Sequence, residues 1–156
     1  LFRSDPEICQ TSLKRLDNIL SELDTNSLIV AMHFVPHSRF TMTHERFAPF
    51  NAYLGSEQFH QIFVKHGVKD VVFGHAHRSY GTVKIDGVTY HSRPLGYRRE
   101  WDLTIDFVSN HPELNPTGTW NLSKRYNLVK KRQEFLDYEK KKLANEFLSS
   151  MSLFDL

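Results

Sequence analysis

Apolar positions along the chain fall into helix-like and strand-like runs that alternate. Ile8, Leu13, Leu16, Ile19, Leu20 and Leu23 recur at roughly helical spacing. They follow the start signal SDPE, in which Ser4 or Asp5 serves as N-cap and Pro6 fills the first turn. An amphipathic helix is predicted over residues 6–23. Residues 28–35, LIVAMHFV, are almost continuously apolar, the pattern of a strand buried on both faces, with His33 as the one ionisable residue near its C-terminal end. Residues 56–67, SEQFHQIFVKHG, predict a short helix that points Phe59, Ile62 and Phe63 inward and stops at Gly67. KDVVF, residues 69–73, returns as a second buried strand.

Strand, helix, strand makes a βαβ unit with two parallel strands. Between the first strand and the helix, residues 36–55 have no sustained period and hold His37, Arg39, His44 and Arg46 among several aromatics. A long irregular stretch inside a compact domain is expected to serve a site. Further on, Val83 and Ile85 alternate with polar residues up to Asp86-Gly87, and Val88 and Tyr90 resume the alternation, which predicts a hairpin with a type I′ turn. LTIDFV, residues 103–108, reads as another strand, and residues 123–151 read as one long helix. Val129, Leu136 and Leu143, spaced seven apart, form a seam on that helix suited to docking on its own body or on a second copy in a homodimer.

Ligands of parallel sheets sit beyond the carboxyl ends of the strands. His33 ends one strand, and His75 and His77 follow the next in the stretch VVFGHAH. Topology therefore brings three histidines to one sheet rim. On an extended segment, residues two apart point the same way, so His75 and His77 are expected to serve one metal ion or two adjacent ones. Three neutral imidazoles make an open metal site.

Composition changes this picture little. At 156 residues, 40% hydrophobic and 24% charged, the chain has the make-up of a globular domain, and a formal net charge of +2 gives no argument for nucleic acid or membrane. No apolar run reaches the roughly 20 residues of a membrane span. The single cysteine, Cys9, cannot form an internal disulfide, which fits a reducing, cytoplasmic compartment.

GHAH after a strand, with MH closing an earlier strand 42 residues upstream, resembles the closing motifs of the calcineurin-like metallophosphoesterases. SRPLGYRREW, residues 92–101, is similar to the segment that often follows in bacterial members. The resemblance covers roughly residues 15–105. It implies an α/β fold that is part of a four-layer α/β/β/α sandwich, here with a long C-terminal helix. It also implies hydrolysis of phosphate mono- or diesters at a dinuclear centre of two divalent ions, Mn, Fe or Zn. His33 and His75 would bind one ion and His77 the other. Beside the resemblance, Arg78 and Arg98 lie in segments expected to flank this site, where guanidinium forks suit phosphate oxygens, and His37 follows Pro36 at the expected cleft; these three are the expected contacts of the phosphoester substrate.

The opening motifs D-x-H, G-D and G-N-H-[DE] do not occur in this sequence, and the usual general-acid histidine has no counterpart. SNHPE, residues 109–113, follows G-H-x-H instead of preceding it, and is expected to be a loop after a strand. The expected organisation is therefore the C-terminal half of such a domain over residues 1–122 and a helical extension over 123–156. The missing N-terminal half is the expected partner, and the chain alone is expected to be inactive. His44, His60, His66, His91 and His111 read as structural or solvated. Two alternatives stand beside this reading. One is a non-catalytic domain that binds a single metal or a partner through the same histidines. The other is a nucleic-acid-binding module using Lys140, Lys141 and Lys142.

Overall fold

A computed structural model describes residues 5–154; Ser4, one of the two expected N-caps, lies outside them. Among the described residues there are six α-helices and one four-stranded mixed sheet. The chain forms two compact units, one running to Ser92 and a second over Arg93–Leu153. The expected boundary at 122/123 falls inside the second unit.

In the first unit, α1 (Asp5–Ser21) begins at the predicted Asp-Pro signal. Leu13 and Leu20 are buried and Leu16 is partly so, whereas Ile8, Ile19 and Leu23 are exposed, so the apolar stripe is narrower than the spacing predicts. Strands β1 (Ile29–Met32) and β2 (Asp70–Phe73) pair in parallel, joined through α3 (Glu57–Lys65), as the βαβ reading requires. β3 (Gly81–Ile85) and β4 (Val88–Ser92) form the antiparallel hairpin, with Asp86 and Gly87 both at positive φ in the turn. The sheet order is β1-β2-β4-β3.

Val71, Phe73, Val88 and Tyr90 pack into one core with Phe63 of α3 and Leu20 of α1. β1 is not buried on both faces: Ile29, Val30 and Met32 are half-buried and Ala31 is exposed. It is an edge strand with one neighbour, and only its Val30/Met32 face, in register with Val71 and Phe73, joins the core.

The irregular stretch after β1 is closed at its neck. Val35 bridges Gly55, with Val35 N–H donating to Leu54 O at 2.9 Å and Ser56 N–H to Val35 O at 3.2 Å. A Cβ at Gly55 would lie 1.9 Å from the Val35 carbonyl oxygen, so only glycine allows this approach. The loop is pinned to the core by Phe40 and ends in the short helix α2 (Asn51–Leu54).

The second unit departs most from expectation. Residues 103–108 are not a strand but part of α4 (Asp102–Asn110). Leu103, Thr104, Phe107 and Val108 are its buried residues, and the pairs 103/107 and 104/108 repeat at helical spacing. Glu146 fixes the start of this helix by accepting the Asp102 and Leu103 N–H groups, each at 2.9 Å. His111, in the stretch expected to follow a strand, stacks on Phe107 just beyond the helix end, ring centroids 4.2 Å apart.

The long C-terminal helix is two: α5 (Leu122–Val129) and α6 (Gln133–Ser149). Arg132 is extended, at φ −81° and ψ 135°, which breaks the run. Lys130, Lys131 and Arg132 sit past the carbonyl end of α5 and Glu134 lies in the first turn of α6, the charge order that favours two helix ends. The expected seam is split accordingly. Val129 is buried on α5, Leu136 is exposed on α6, and the buried residues of α6 are Phe135, Glu139 and Glu146.

Candidate metal centre

His33 directly follows β1, and Gly74-His75 directly follow β2. Because the strands are parallel neighbours with Met32 opposite Phe73, the two histidines meet at the carboxyl rim, ring centroids 4.5 Å apart. Phe34 flanks both rings, at 5.6 Å from His33 and 5.5 Å from His75. His75 Nε2 lies 3.1 Å from the Tyr53 carbonyl oxygen. A carbonyl only accepts, so Nε2 carries the proton and the lone pair of the neutral ring sits on Nδ1. A ring N–H donated to a carbonyl is the usual outer support of a metal-binding histidine.

The motif backbone is not extended. His75 has φ 61° and His77 φ 49°, and Ala76 N–H closes a tight turn onto Gly74 O at 2.7 Å. Strand alternation therefore does not give His75 and His77 a shared direction. His77 is exposed, and His33, His75 and His77 do not bring one donor atom each within 4.8 Å of one another. Two non-glycine residues in the left-handed region so close together carry backbone strain, which concentrates at functional sites. A pocket of about 370 Å³ opens beside this rim, lined among others by Ile8, Cys9, Phe34, Tyr53 and Phe59.

The expected substrate residues divide. Arg78 is exposed, with its guanidinium 5.3 Å from the Tyr80 ring. Arg98 belongs to the second unit, where Nε donates to Glu139 Oε1 at 2.9 Å and Nη2 donates to Oε2. This fork holds the guanidinium above its ordinary pKa and engages it structurally.

His37 belongs to a different cluster, with Glu57 and His60. Among the described residues this is the one group of three or more histidine, cysteine or carboxylate side chains whose donor atoms all lie within 4.8 Å of one another. His37 Nδ1 accepts the Arg39 N–H at 2.9 Å, so its Nε2 carries the proton and donates to Glu57 Oε1 at 3.1 Å. His60 lies 4.6 Å from His37, ring to ring, and is 6% exposed. Its Nε2 meets Asp86 Oδ2 at 3.1 Å and its Nδ1 meets the Tyr90 hydroxyl at 2.7 Å. The carboxylate at Nε2 makes that nitrogen the donor, so in the neutral ring Tyr90 donates to Nδ1.

Burial lowers the His37 pKa, and the nearby Glu57 charge opposes this only in part. Burial pushes Glu57 up, but the Ser38 hydrogen bonds, with His37 and His60, outweigh it and hold the carboxyl below its usual range. Burial, then the Glu57 and Asp86 charges, push the Tyr90 phenol well above its ordinary value.

His60, which reads from the sequence as structural or solvated, is buried with both ring nitrogens partnered. The signal that locates it is E-x-x-H at Glu57–His60: residues three apart share a helix face. The other histidines have local partners: His66 with Asp17 at 2.6 Å, His91 with Asp70 at 2.8 Å, and His44 with the Arg46 N–H at 3.1 Å. Compared with known proteins, the chain matches no family model, no curated protein and no solved structure.

Proposed function

We propose that this chain carries part of the metal site of a phosphoester hydrolase of the calcineurin-like kind. The observation that carries the reading is the meeting of His33 and His75 at 4.5 Å beyond two parallel strands, with the His75 N–H committed to Tyr53. The donor set fits one divalent ion of the Mn, Fe or Zn group, bound by neutral imidazole nitrogens. His77, two residues on, is the expected ligand of a second ion. Ligands for a full dinuclear centre, including a bridging carboxylate, would come from outside these 156 residues.

When bound, two such ions supply an activated hydroxide and stabilise charge on phosphorus. The chain's own residues position and shield. Tyr53 orients His75, Phe34 packs against both rings, and the adjoining apolar pocket suits the organic part of an ester. Arg78 is the candidate phosphate contact in this unit. In the four-layer arrangement, the half-exposed sheet face bearing Ile29, Ala31 and Val72 would pack on a second sheet. The single Cys9 fits a cytoplasmic setting. Among the described residues, no helix is long and apolar enough to cross a membrane.

The test is hydrolysis of p-nitrophenyl phosphate and its bis-ester by the full-length natural protein with Mn, Fe or Zn. Metal-dependent turnover that falls at least about 100-fold in H33A and in H75A supports the proposal. Turnover unchanged in both variants contradicts it. The 156-residue chain alone is expected to hold at most one ion at this rim and to show almost no turnover.

A further inference from the structure

His37, Glu57, His60 and Asp86 come from four places: the loop after β1, the start of α3, the middle of α3, and the β3–β4 turn. All four are metal-ligand side chains, and the rim site uses none of them. We infer that they form a second, separate site that binds one zinc-class divalent ion and clamps the 36–55 loop and the hairpin turn onto α3.

The geometry is the first reason. Zinc–nitrogen and zinc–oxygen bonds near 2.1 Å set neighbouring tetrahedral ligand atoms about 3.4 Å apart. His37 Nε2 and Glu57 Oε1 are 3.1 Å apart, as are His60 Nε2 and Asp86 Oδ2. Each pair shares a proton where an ion would bridge nitrogen and oxygen. The His37, Glu57 and His60 donors already lie within 4.8 Å of one another; Asp86 lies outside that group, tied to it through His60, and must swing inward to complete four ligands.

The outer support is the second reason. With the ion on His60 Nε2, the ring proton moves to Nδ1 and points at the Tyr90 oxygen 2.7 Å away, so the phenol becomes the acceptor that fixes the ring. Tyr90 is fully buried and cannot turn away to solvent. Asp86 sits in an exposed turn, its side chain 70% accessible, and is free to adjust as the fourth ligand. Two histidines with carboxylates suit zinc, iron or cobalt better than magnesium or calcium.

Binding carries a specific cost. His37 Nδ1 accepts the Arg39 N–H, so an ion on Nε2 puts a proton on Nδ1 and forces that hydrogen bond to break. Loss of the Arg39 bond is therefore a signature that zinc at any other histidine would not produce.

The experiment uses the 156-residue chain carrying H33A and H75A, which removes the rim site. After stripping with chelator, zinc is titrated against a chromophoric competitor while the backbone amide spectrum is followed. One zinc per chain is expected, with a displaced Arg39 amide and at least tenfold weaker binding when E57Q is added. H60Q should weaken it as much. If H60Q does not fold, E57Q, whose side chain is 41% exposed, carries the test. No zinc binding by the H33A/H75A chain, equal affinity in E57Q, or an unmoved Arg39 amide overturns the inference. None of these results bears on hydrolysis at the rim, which H33A and H75A test in the full-length protein.

Discussion

The rings of His33 and His75, 42 residues apart in sequence, lie 4.5 Å apart at their centroids across the carboxyl ends of β1 and β2. Their approach depends on the parallel register and on a loop neck that brings the Tyr53 carbonyl to His75. Perturbing that neck should therefore reach the rim.

Gly55 tests this. In G55A the new Cβ would overlap the Val35 carbonyl oxygen at 1.9 Å and approach its backbone nitrogen at 2.8 Å, atoms that cannot rotate away. The neck must open, with loss of stability of about 2–4 kcal/mol. Urea denaturation should show it, together with a change in the His75 ring signals. An unchanged midpoint would mean that the neck does not constrain the fold.

Much of this arrangement is legible in the sequence. An apolar run with His33 near its end and a second that stops just before His75 predict parallel strands, and the parallel rule places both histidines at one rim. Asp86-Gly87 announces its turn. Elsewhere the pattern misleads. Thr104, Ile105 and Val108 lend residues 103–108 strand character, yet the segment is helical because Leu103/Phe107 and Thr104/Val108 face one core. On α6, Leu143 of the expected seam packs against the core but Leu136 is exposed, and the fold buries Glu139 and Glu146, which have polar partners that no periodicity reveals. That His60 sits beside Glu57 and His37 is not legible from strand ends, because its nearest relation is to Glu57 on the same helix.

Glu146 offers a second prediction. Its carboxylate satisfies two N–H groups at the start of α4 while 9% exposed. E146Q keeps the shape but loses charge at a helix N-terminus and should cost about 1 kcal/mol; E146A strands both donors and should cost about 2 kcal/mol. Equilibrium unfolding of the two variants checks the order. Equal, negligible losses would show that the cap contributes nothing.

Tyr90 predicts an alkaline response. Its phenol holds its proton above the ordinary pKa near 10, first through burial and then through Glu57 and Asp86. Above pH 10 the unfolded chain releases this proton while the folded one keeps it, so stability is fully present below pH 10 and falls as pH rises beyond it. In Y90F this part of the slope should vanish. At neutral pH the variant should lose about 1 kcal/mol, because His60 Nδ1 forfeits its donor. A slope identical in both proteins would contradict the assignment.

The most direct measurement is of the rim itself: zinc added to the protein labelled with nitrogen-15 in its histidines, with all nine ring systems followed by NMR. The account predicts that His33 and His75 shift together toward metal-bound values, with His75 ligating through Nδ1 while Nε2 keeps its proton. Rings at 33 and 75 that retain their metal-free signals at saturating zinc would contradict it.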